Sequence, residues 1–163
     1  MGRFTLAFLL VFSTSSFAFS DEHKTRVYAD ISGDLFHRGH VEFFKQARTL
    51  GDSLVIGVLS DETIASYKRV PVLTLQDRVA VIEACKYVDE VIADPPLRVT
   101  KEWLEEHKID IVVHGDDFSD DMILDQYKVP YEMGILRLVH YTEGISTTDI
   151  IARIKSRIAE DSL

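Results

Sequence analysis

The stretch TRVYADISGDLFHRGHVEFFKQARTLGDSLVIGVLS, residues 25–60, decides the fold of this chain. Residues 25–29 are rich in residues that favour strands and predict a first β-strand. The segment GHVEFFKQARTLG spaces its apolar residues at the helical period and ends at Gly51, so it predicts an amphipathic helix. Residues 53–60 form a nearly continuous apolar run, which is typical of a buried strand. Strand, helix and strand in this order predict a parallel βαβ unit.

The same alternation continues along the rest of the chain. Further strands are predicted at DEVIAD, IDIVVHG and LRLVHYT, which are residues 89–94, 109–115 and 136–142. Further helices are predicted at TLQDRVAVIEACKYV, where Thr74 is a candidate N-cap, at KEWLEEHK and at STTDIIARIKSRIAE. Five strands alternating with helices predict one α/β domain, a Rossmann-like, doubly wound five-stranded parallel sheet covered on both faces.

Composition limits the classes of protein that this chain can belong to. It has 163 residues, of which 46% are hydrophobic and 28% charged, which suits one globular domain with a sizeable core. Its 27 acidic and 18 basic residues give a net charge of −9, which argues against a nucleic-acid partner held by a broad positive field. Cys85 is the single cysteine, so an intrachain disulfide and an all-cysteine metal site are excluded.

The first 23 residues differ in character from the rest of the chain. Arg3 precedes an apolar run from Leu6 to Phe12, and small residues including Ala18 and Ser20 follow at a spacing typical of a cleavage site. The run is shorter than the roughly 20 residues of a transmembrane helix. We therefore expect residues 1–23 to be a targeting segment for the secretory pathway or an organelle, and residues 24–163 to be the folded domain. Without a working leader, the domain would be cytoplasmic.

Two segments that follow predicted strands and begin predicted helices carry the candidate chemistry. In one of them, His37 and His40 flank Gly39 at a helix N-terminus, where unpaired backbone N–H groups and a partial positive charge suit a phosphate. A structural alternative is that one histidine caps the helix while the other faces solvent.

The second segment is YTEGISTTDIIARI, residues 141–154. Gly144 permits a tight turn, and Ser146, Thr147 and Thr148 add hydroxyl groups to another helix N-terminus. A serine and threonine cluster of this kind is also an ordinary way to start a helix. Because the carboxyl ends of parallel strands share one edge of a sheet, the two segments are expected on the same side of the domain.

Taken together, HRGH at residues 37–40 and YTEGISTTDII at residues 141–151 resemble the paired HxGH and RTxGISTT motifs of the cytidylyltransferase family. The segments SDETIASYKRVPVLTLQDR, KYVDEVI and HGDD between them resemble further family segments at matching separations, and the likeness covers about residues 26–155. The resemblance implies a CTP-dependent nucleotidyltransferase. Such an enzyme transfers CMP to a small phosphorylated acceptor of the phosphoethanolamine or phosphocholine class and releases pyrophosphate.

The resemblance also implies the site residues. His37, His40 and Lys68 would be catalytic, with the histidines on the phosphates and the lysine between CTP and the acceptor phosphate. Nucleotide-binding positions would be Ser32, Gly33, Arg38, Gly39, Asp116, Tyr141, Gly144, Ile145, Ser146, Thr147 and Thr148. Mg²⁺ would accompany CTP with no protein-only metal site, and a homodimer is expected.

Two departures from the family pattern concern the acceptor. Tyr141 stands where RTxGISTT has arginine, and Ile31 stands where the family's GTFD turn has glycine. A tyrosine cannot make a bidentate, permanently charged contact with phosphate. Either Arg137, Arg69 or Lys68 compensates, or the acceptor differs. With tyrosine at this position, the motif resembles that of cytidylyltransferases that act on small phosphonates such as 2-aminoethylphosphonate.

Two other functions remain open at this point. One is adenylyl transfer by an enzyme of the same superfamily, since HxGH alone is shared with adenylyltransferases. The other is a catalytically silent nucleotide-binding module. A phosphomonoester acceptor is already ionised near neutral pH, so transfer needs no general base. Asp34 is therefore expected to be structural or to orient a histidine, and a metal site around His114 is not expected.

Overall fold

The computed structural model describes residues 23–117 and 119–161, which form a parallel sheet with helices on both faces. The strands of the sheet are β1 (Arg26–Ile31), β2 (Ser53–Val58), β3 (Glu90–Ala93), β4 (Ile111–Gly115) and β5 (Leu136–Val139). The helices in the described ranges are α1 (Arg38–Arg48), α2 (Asp61–Ala65), α3 (Leu75–Glu83), α4 (Lys101–Glu106), α5 (Asp120–Gln126), α6 (Lys128–Glu132) and α7 (Thr147–Ala159).

The strand order β3-β2-β1-β4-β5 places β1 at the centre of the sheet. β1 pairs with β2 along its whole length, from Arg26 beside Ser53 to Ile31 beside Val58, and with β4 on its other side. The order of the strands therefore reverses between β1 and β4. In sheets of this kind, ligands bind beyond the carboxyl ends of the strands at such a reversal.

The sheet separates two apolar cores. One core packs α1 and α3 against the sheet through residues such as Phe44, Ala47 and Ile82. The other packs α4 and the α5–α6 segment against the opposite face, with Leu104 and Ile123 among its buried residues. The doubly wound α/β arrangement and the single domain predicted from the sequence are confirmed.

All five predicted strands are present, with differences in length that have identifiable causes. β1 continues through Asp30 and Ile31 because parallel pairing with β2 extends that far. β5 ends at Val139 rather than at residue 142. The carboxylate of Asp116 accepts hydrogen bonds from the backbone N–H of Tyr141 and the ring of His140, which turns the chain away from the sheet.

Two short helices, α2 and α6, were not predicted from the sequence, and for α5 only a helix start near Asp120 was expected. α2 begins after the N-cap Ser60, and α5 begins after the N-cap Ser119. α6 contains Pro130 in its first turn, where a missing N–H costs no intrahelical hydrogen bond. Each helix has at most seven residues, too few to show a helical period clearly.

The predicted targeting segment falls outside the described residues except for His23. The ring of His23 lies 2.8 Å from a carboxylate oxygen of Asp110, so the folded domain already includes this residue. Within residues 23–117 and 119–161, no helix is long and apolar enough to cross a bilayer.

Arg78 of α3 holds together the chain segments that follow β1 and β2. Its side chain is fully buried and donates to the backbone carbonyls of Ser32, Leu59 and Leu73 and to the carboxylate of Asp61. A buried guanidinium is tolerated here because its donors are paired. These hydrogen bonds fix the carboxyl edge of the sheet, where the candidate site lies.

Arg78→Met is expected to lower the free energy of unfolding by about 3 kcal/mol or more, since it leaves several carbonyls and Asp61 without their buried partner. Urea unfolding measures this loss. The matched control is Arg98→Met, which removes an exposed ion pair with Asp125 and should cost about 1 kcal/mol or less. Equal losses for the two variants would contradict a central structural role for Arg78.

Candidate functional site

A cavity of about 310 Å³ opens at the carboxyl edge of the sheet, between the ends of β1 and β4. Its volume lies at the lower end of the range for small-molecule sites. Residues from the β1–α1 turn, the α2–α3 loop, the end of β4 and the β5–α7 loop line it. The cavity therefore brings together the two sequence motifs, which lie about one hundred residues apart.

His37 and His40 form a reciprocal cap at the N-terminus of α1. Nδ1 of His37 accepts from the backbone N–H of Gly39 at 3.1 Å, and Nδ1 of His40 accepts from the backbone N–H of His37 at 3.2 Å. A ring nitrogen that accepts a hydrogen bond carries no proton, so each neutral ring holds its proton on Nε2. Both rings line the cavity and offer an Nε2–H donor to a ligand.

The environment of the two rings keeps them neutral. Burial, together with the neighbouring His37, lowers the pKa of His40 to about 3, and Asp34 partly opposes the shift. Burial also lowers the pKa of His37, which Asp149 partly opposes. Phe36 stacks on His40 at 5.3 Å between ring centroids and contributes to its burial. The site therefore offers neutral hydrogen-bond donors rather than imidazolium ions.

The N-terminus of α7 faces the same cavity. Gly144 adopts φ +79 in the turn before it, and Ser146 is the N-cap, accepting from the backbone N–H of Asp149 at 3.1 Å. The first-turn N–H groups of a helix have no intrahelical acceptor, so those of Thr147 and Thr148 suit an anion. The structural reading of this motif as a helix start is confirmed, and the same residues line the cavity.

Asp34 ties the two helix N-termini to the α2–α3 loop. Its carboxylate, which is almost fully buried, accepts from the backbone N–H groups of Val72 and Leu73 at 3.0 Å each. Its backbone carbonyl accepts from the hydroxyl of Thr147 at 2.8 Å. These hydrogen bonds give Asp34 a structural role, which is one of the two roles expected for it from the sequence.

A second group of polar residues occupies the inner wall of the cavity around Asp30. The hydroxyl of Tyr127 donates to its carboxylate at 2.8 Å, and the ring of His114 packs on Tyr127 at 5.0 Å between centroids. Burial raises the pKa of Asp30, while His114, the Tyr127 hydrogen bond and Lys68 lower it. Tyr67 lies on the same wall, and burial raises its pKa to about 12. The wall thus presents a carboxylate flanked by tyrosine hydroxyls.

Most residues predicted for the site line the cavity. They are Ser32, His37, Gly39, His40, Lys68, Tyr141, Ile145, Ser146, Thr147 and Thr148. Gly39 permits close packing, since a Cβ there would lie 2.9 Å from the His37 ring.

Four other predicted positions do not line the cavity: Gly33, Arg38, Asp116 and Gly144. Gly33 adopts φ +68, and a Cβ there would lie 2.8 Å from Ile82, so its role is to shape the turn. Arg38 is exposed in the first turn of α1. Asp116 was predicted to read the nucleotide, but its carboxylate holds the β5–α7 loop through Tyr141 and His140, and those bonds lower its pKa.

The sequence prediction missed the inner wall. Asp30 and Tyr67 stand beside predicted motifs, but a single carboxylate and a single tyrosine carry no spacing signal. Tyr127 lies in a segment without a predicted element and reaches Asp30 across 97 positions of sequence. Asp117, which also lines the cavity, was not among the predicted site residues.

No group of three or more histidine, cysteine, aspartate or glutamate side chains in the described part of the chain is arranged to hold a metal ion. A divalent ion at this cavity would therefore need ligands from a bound phosphate. Mg²⁺ commonly binds in that way, through substrate phosphates and one or two carboxylates.

The sheet order and the two helix N-termini define an α/β domain of the nucleotide-binding class. A family model described as cytidylyltransferase-like matches residues 32–153. The chain belongs to this family.

Curated relatives agree with this assignment. The chain is 43% identical over 133 residues to ethanolamine-phosphate cytidylyltransferase of Dictyostelium discoideum, a match that covers 78% of this chain and 37% of the relative. It is 40% identical over 145 residues to the Arabidopsis thaliana protein of the same name, covering 85% and 34%. It is 43% identical over 136 residues to choline-phosphate cytidylyltransferase A of Rattus norvegicus, covering 82% and 37%. The chain thus spans little more than a third of the length of these relatives.

Two solved structures share the fold. The lipopolysaccharide core biosynthesis protein from Thermoplasma volcanium is similar with a TM-score of 0.61 and 29% identity, over 76% of this chain and 100% of that chain. The pantoate-beta-alanine ligase from Francisella tularensis is similar with a TM-score of 0.50 and 13% identity, over 81% and 69%, which supports the fold alone.

Lowering the pH from 7 to 4 is expected to reduce the free energy of unfolding partly through His40. Its pKa is about 3 in the folded protein and about 6.5 in an unfolded chain, so between these values only the unfolded state binds the proton. The sign is a loss of stability as the pH falls below about 6.5. One such group contributes at most about 1.4 kcal/mol per pH unit.

Urea unfolding of the wild type and of His40→Asn at pH 8, 7, 6, 5 and 4 measures this contribution. The two curves should run parallel from pH 8 to 7 and diverge below pH 6, where the variant should lose less stability per unit. Parallel curves down to pH 4 would show that His40 is protonated as easily in the folded protein as in the unfolded chain.

Proposed function

We propose that the domain is a cytidylyltransferase that transfers CMP from CTP to a small phosphorylated acceptor of the phosphoethanolamine or phosphocholine class. The observation that carries this proposal is the meeting of the HRGH and GISTT helix N-termini at one cavity, beside the carboxylate of Asp30. Membership of the cytidylyltransferase-like family supports it. The curated relatives support both acceptors, since they include ethanolamine-phosphate and choline-phosphate cytidylyltransferases.

The proposed reaction needs few functional groups. An oxygen of the acceptor phosphate bonds to the α-phosphorus of CTP while the bond from that phosphorus to the bridging oxygen breaks, and the electron pair leaves with pyrophosphate. The attacking oxygen is already ionised because the second pKa of a phosphomonoester is about 6. The domain therefore needs to align two anions and stabilise charge at the α-phosphate, not to remove a proton.

The residues of the cavity suit these tasks. The Nε2–H groups of His37 and His40 donate to oxygens of the α-phosphate, where charge develops. The N-terminus of α7 holds the β- and γ-phosphates. Lys68, exposed on the α2–α3 loop, bridges CTP and the acceptor phosphate.

Mg²⁺ is proposed to accompany CTP. The residues fit an ion carried mainly by the nucleotide, since the cavity wall adds the exposed carboxylate of Asp117 but no three-residue cluster in the described ranges. When bound, the ion neutralises phosphate charge. A homodimer is also proposed from the family resemblance, and sedimentation velocity of residues 23–163 would measure it.

The inner wall supports an acceptor with a positive charge. The carboxylate of Asp30 lies at the end of the central strand, and the hydroxyl of Tyr127 orients it. An ammonium group of the acceptor would stabilise the ionised carboxylate against the burial that raises its pKa. Lys68, whose charge also acts on Asp30, would then be directed to the phosphates.

A small aminoalkylphosphonate is the second candidate acceptor. The specific observation in its favour is Tyr141, which lines the cavity at a position where the family motif carries an arginine. 2-Aminoethylphosphonate has the ammonium group and the anionic oxygens that the same cavity requires. Direct comparison of acceptors separates the two candidates.

The test is pyrophosphate release by residues 23–163 with Mg²⁺, with CTP or ATP combined with phosphoethanolamine, phosphocholine, glycerol 3-phosphate or 2-aminoethylphosphonate. We expect release with CTP and an amine-bearing acceptor. His40→Ala should lower turnover by about 100-fold or more, because one donor to the developing charge contributes about 2.7–4 kcal/mol. Pyrophosphate release with ATP but not with CTP would indicate an adenylyltransferase. CTP binding without pyrophosphate release would indicate a catalytically silent binding module.

Asp30→Asn is expected to raise KM for the amine-bearing acceptor by roughly tenfold or more, since it removes a charged partner of the ammonium group. KM for CTP should change little. The matched control is Asp125→Asn, which removes an exposed carboxylate that does not line the cavity and should leave both KM values unchanged. Equal effects of Asp30→Asn on an amine-bearing acceptor and on glycerol 3-phosphate would contradict recognition of the amine by Asp30.

A further inference from the structure

The cavity has few permanent positive charges for the anions that it is proposed to bind. Among the described residues that line it, Lys68 and Arg69 supply the lysine and arginine side chains, next to one another in the α2–α3 loop. His37 and His40 are held neutral by burial. Asp30 adds negative charge to the same cavity. A nucleoside triphosphate and an acceptor phosphate together carry several negative charges, so Lys68 and Arg69 would both be needed to neutralise them.

Arg78 and Arg137, outside the loop, donate to partners within the protein. The guanidinium of Arg78 is fully buried and donates to three carbonyls and to Asp61. Arg137 lies on β5, does not line the cavity, and donates to the backbone carbonyls of Gly134 and Leu136 at 2.9 Å each. The place of the family arginine in the β5–α7 loop is taken by Tyr141, which carries no positive charge.

Arg69 is loosely held and available for exchange. Its side chain is 45% exposed, and one terminal nitrogen lies 3.4 Å from the carboxylate of Asp34. Asp34 does not depend on this contact, because its carboxylate also accepts two backbone hydrogen bonds from Val72 and Leu73 at 3.0 Å. A guanidinium with one long contact gains from a bidentate contact with phosphate oxygens.

Arg69 and Lys68 have different neighbours in the cavity. Arg69 pairs with Asp34, whose backbone carbonyl holds Thr147 at the N-terminus of α7. Lys68 acts electrostatically on Asp30 at the inner wall. Arg69 is thus on the side of the phosphate-binding helix end, and Lys68 is on the side proposed for the acceptor.

We propose that Arg69 is the guanidinium that binds the triphosphate of the nucleotide. On nucleotide binding it exchanges its single contact with Asp34 for a bidentate contact with phosphate oxygens. It supplies from the α2–α3 loop the charge that Tyr141 does not supply from the β5–α7 loop. This inference rests on the proposed function, since it assigns one residue to the nucleotide rather than to the acceptor.

The experiment measures the Kd of CTP with Mg²⁺ by calorimetry, and KM for CTP and for the acceptor by pyrophosphate release. Arg69→Ala is expected to raise Kd and KM for CTP by roughly 10- to 100-fold, the effect of losing hydrogen bonds to a charged group. KM for the acceptor should change much less. Arg137→Ala is the matched control and should bind CTP like the wild type.

A second variant tests whether a loss of CTP affinity comes from the missing positive charge or from a disturbed fold. Adding Tyr141→Arg to Arg69→Ala returns a guanidinium to the cavity from the other loop, and recovery of CTP affinity would support the proposal. Thermal unfolding of each variant provides the check on the fold, and Arg69 is exposed enough for its removal to leave the fold intact.

The outcomes distinguish the two levels of the proposal. Wild-type protein that neither binds CTP nor releases pyrophosphate would reject the proposed function, and the role of Arg69 with it. Wild-type turnover with unchanged CTP affinity in Arg69→Ala would reject the role of Arg69 alone. A selective rise in KM for the acceptor would also overturn it, by placing the guanidinium on the acceptor.

Discussion

The candidate site depends on the hydrogen bonds of Asp34. Its buried carboxylate holds the α2–α3 loop by two backbone N–H groups, and its backbone carbonyl holds the first residue of α7 through the hydroxyl of Thr147. The residue itself lies in the turn that leads to the histidine cap of α1. Three segments that are distant in sequence therefore meet at one residue, and a cavity lined by all of them follows. Arg78 stabilises the same edge of the sheet by its hydrogen bonds to the turns after β1 and β2.

The electrostatics of the cavity favour anions without concentrating permanent charge. Two helix N-termini and two neutral imidazoles supply donors, and their hydrogen bonds within the protein orient them before a ligand binds. Burial that lowers the pKa of His40 keeps the ring in the donating, neutral form. Hydrogen-bond donors that are oriented in advance in this way suit an anionic ligand such as a phosphate. Lys68 and Arg69, on the exposed α2–α3 loop, add permanent positive charge to these donors.

Much of the fold and part of the site could be predicted from the sequence. Each predicted strand is present, because runs such as SLVIGV are long and apolar enough to show burial on both faces. The residues of HRGH and GISTT could be predicted because helix N-termini have local signals in glycine and capping residues. The contacts of Asp116 could not be predicted, since nothing local shows that its carboxylate accepts from the backbone N–H of Tyr141. The length of β5 depends on that same contact.

The sequence by itself determined the alternation of strands and helices, the parallel sheet and the two helix ends that begin at His37 and Ser146. These features follow from periodicity and capping, which act over a few residues. Only the tertiary structure decided which side chains face one another: Tyr127 with Asp30, Thr147 with Asp34, and Arg69 rather than Arg137 at the cavity. The physical reason is that side-chain contacts between distant segments depend on strand order and loop path. Residue spacing along the chain carries no record of either.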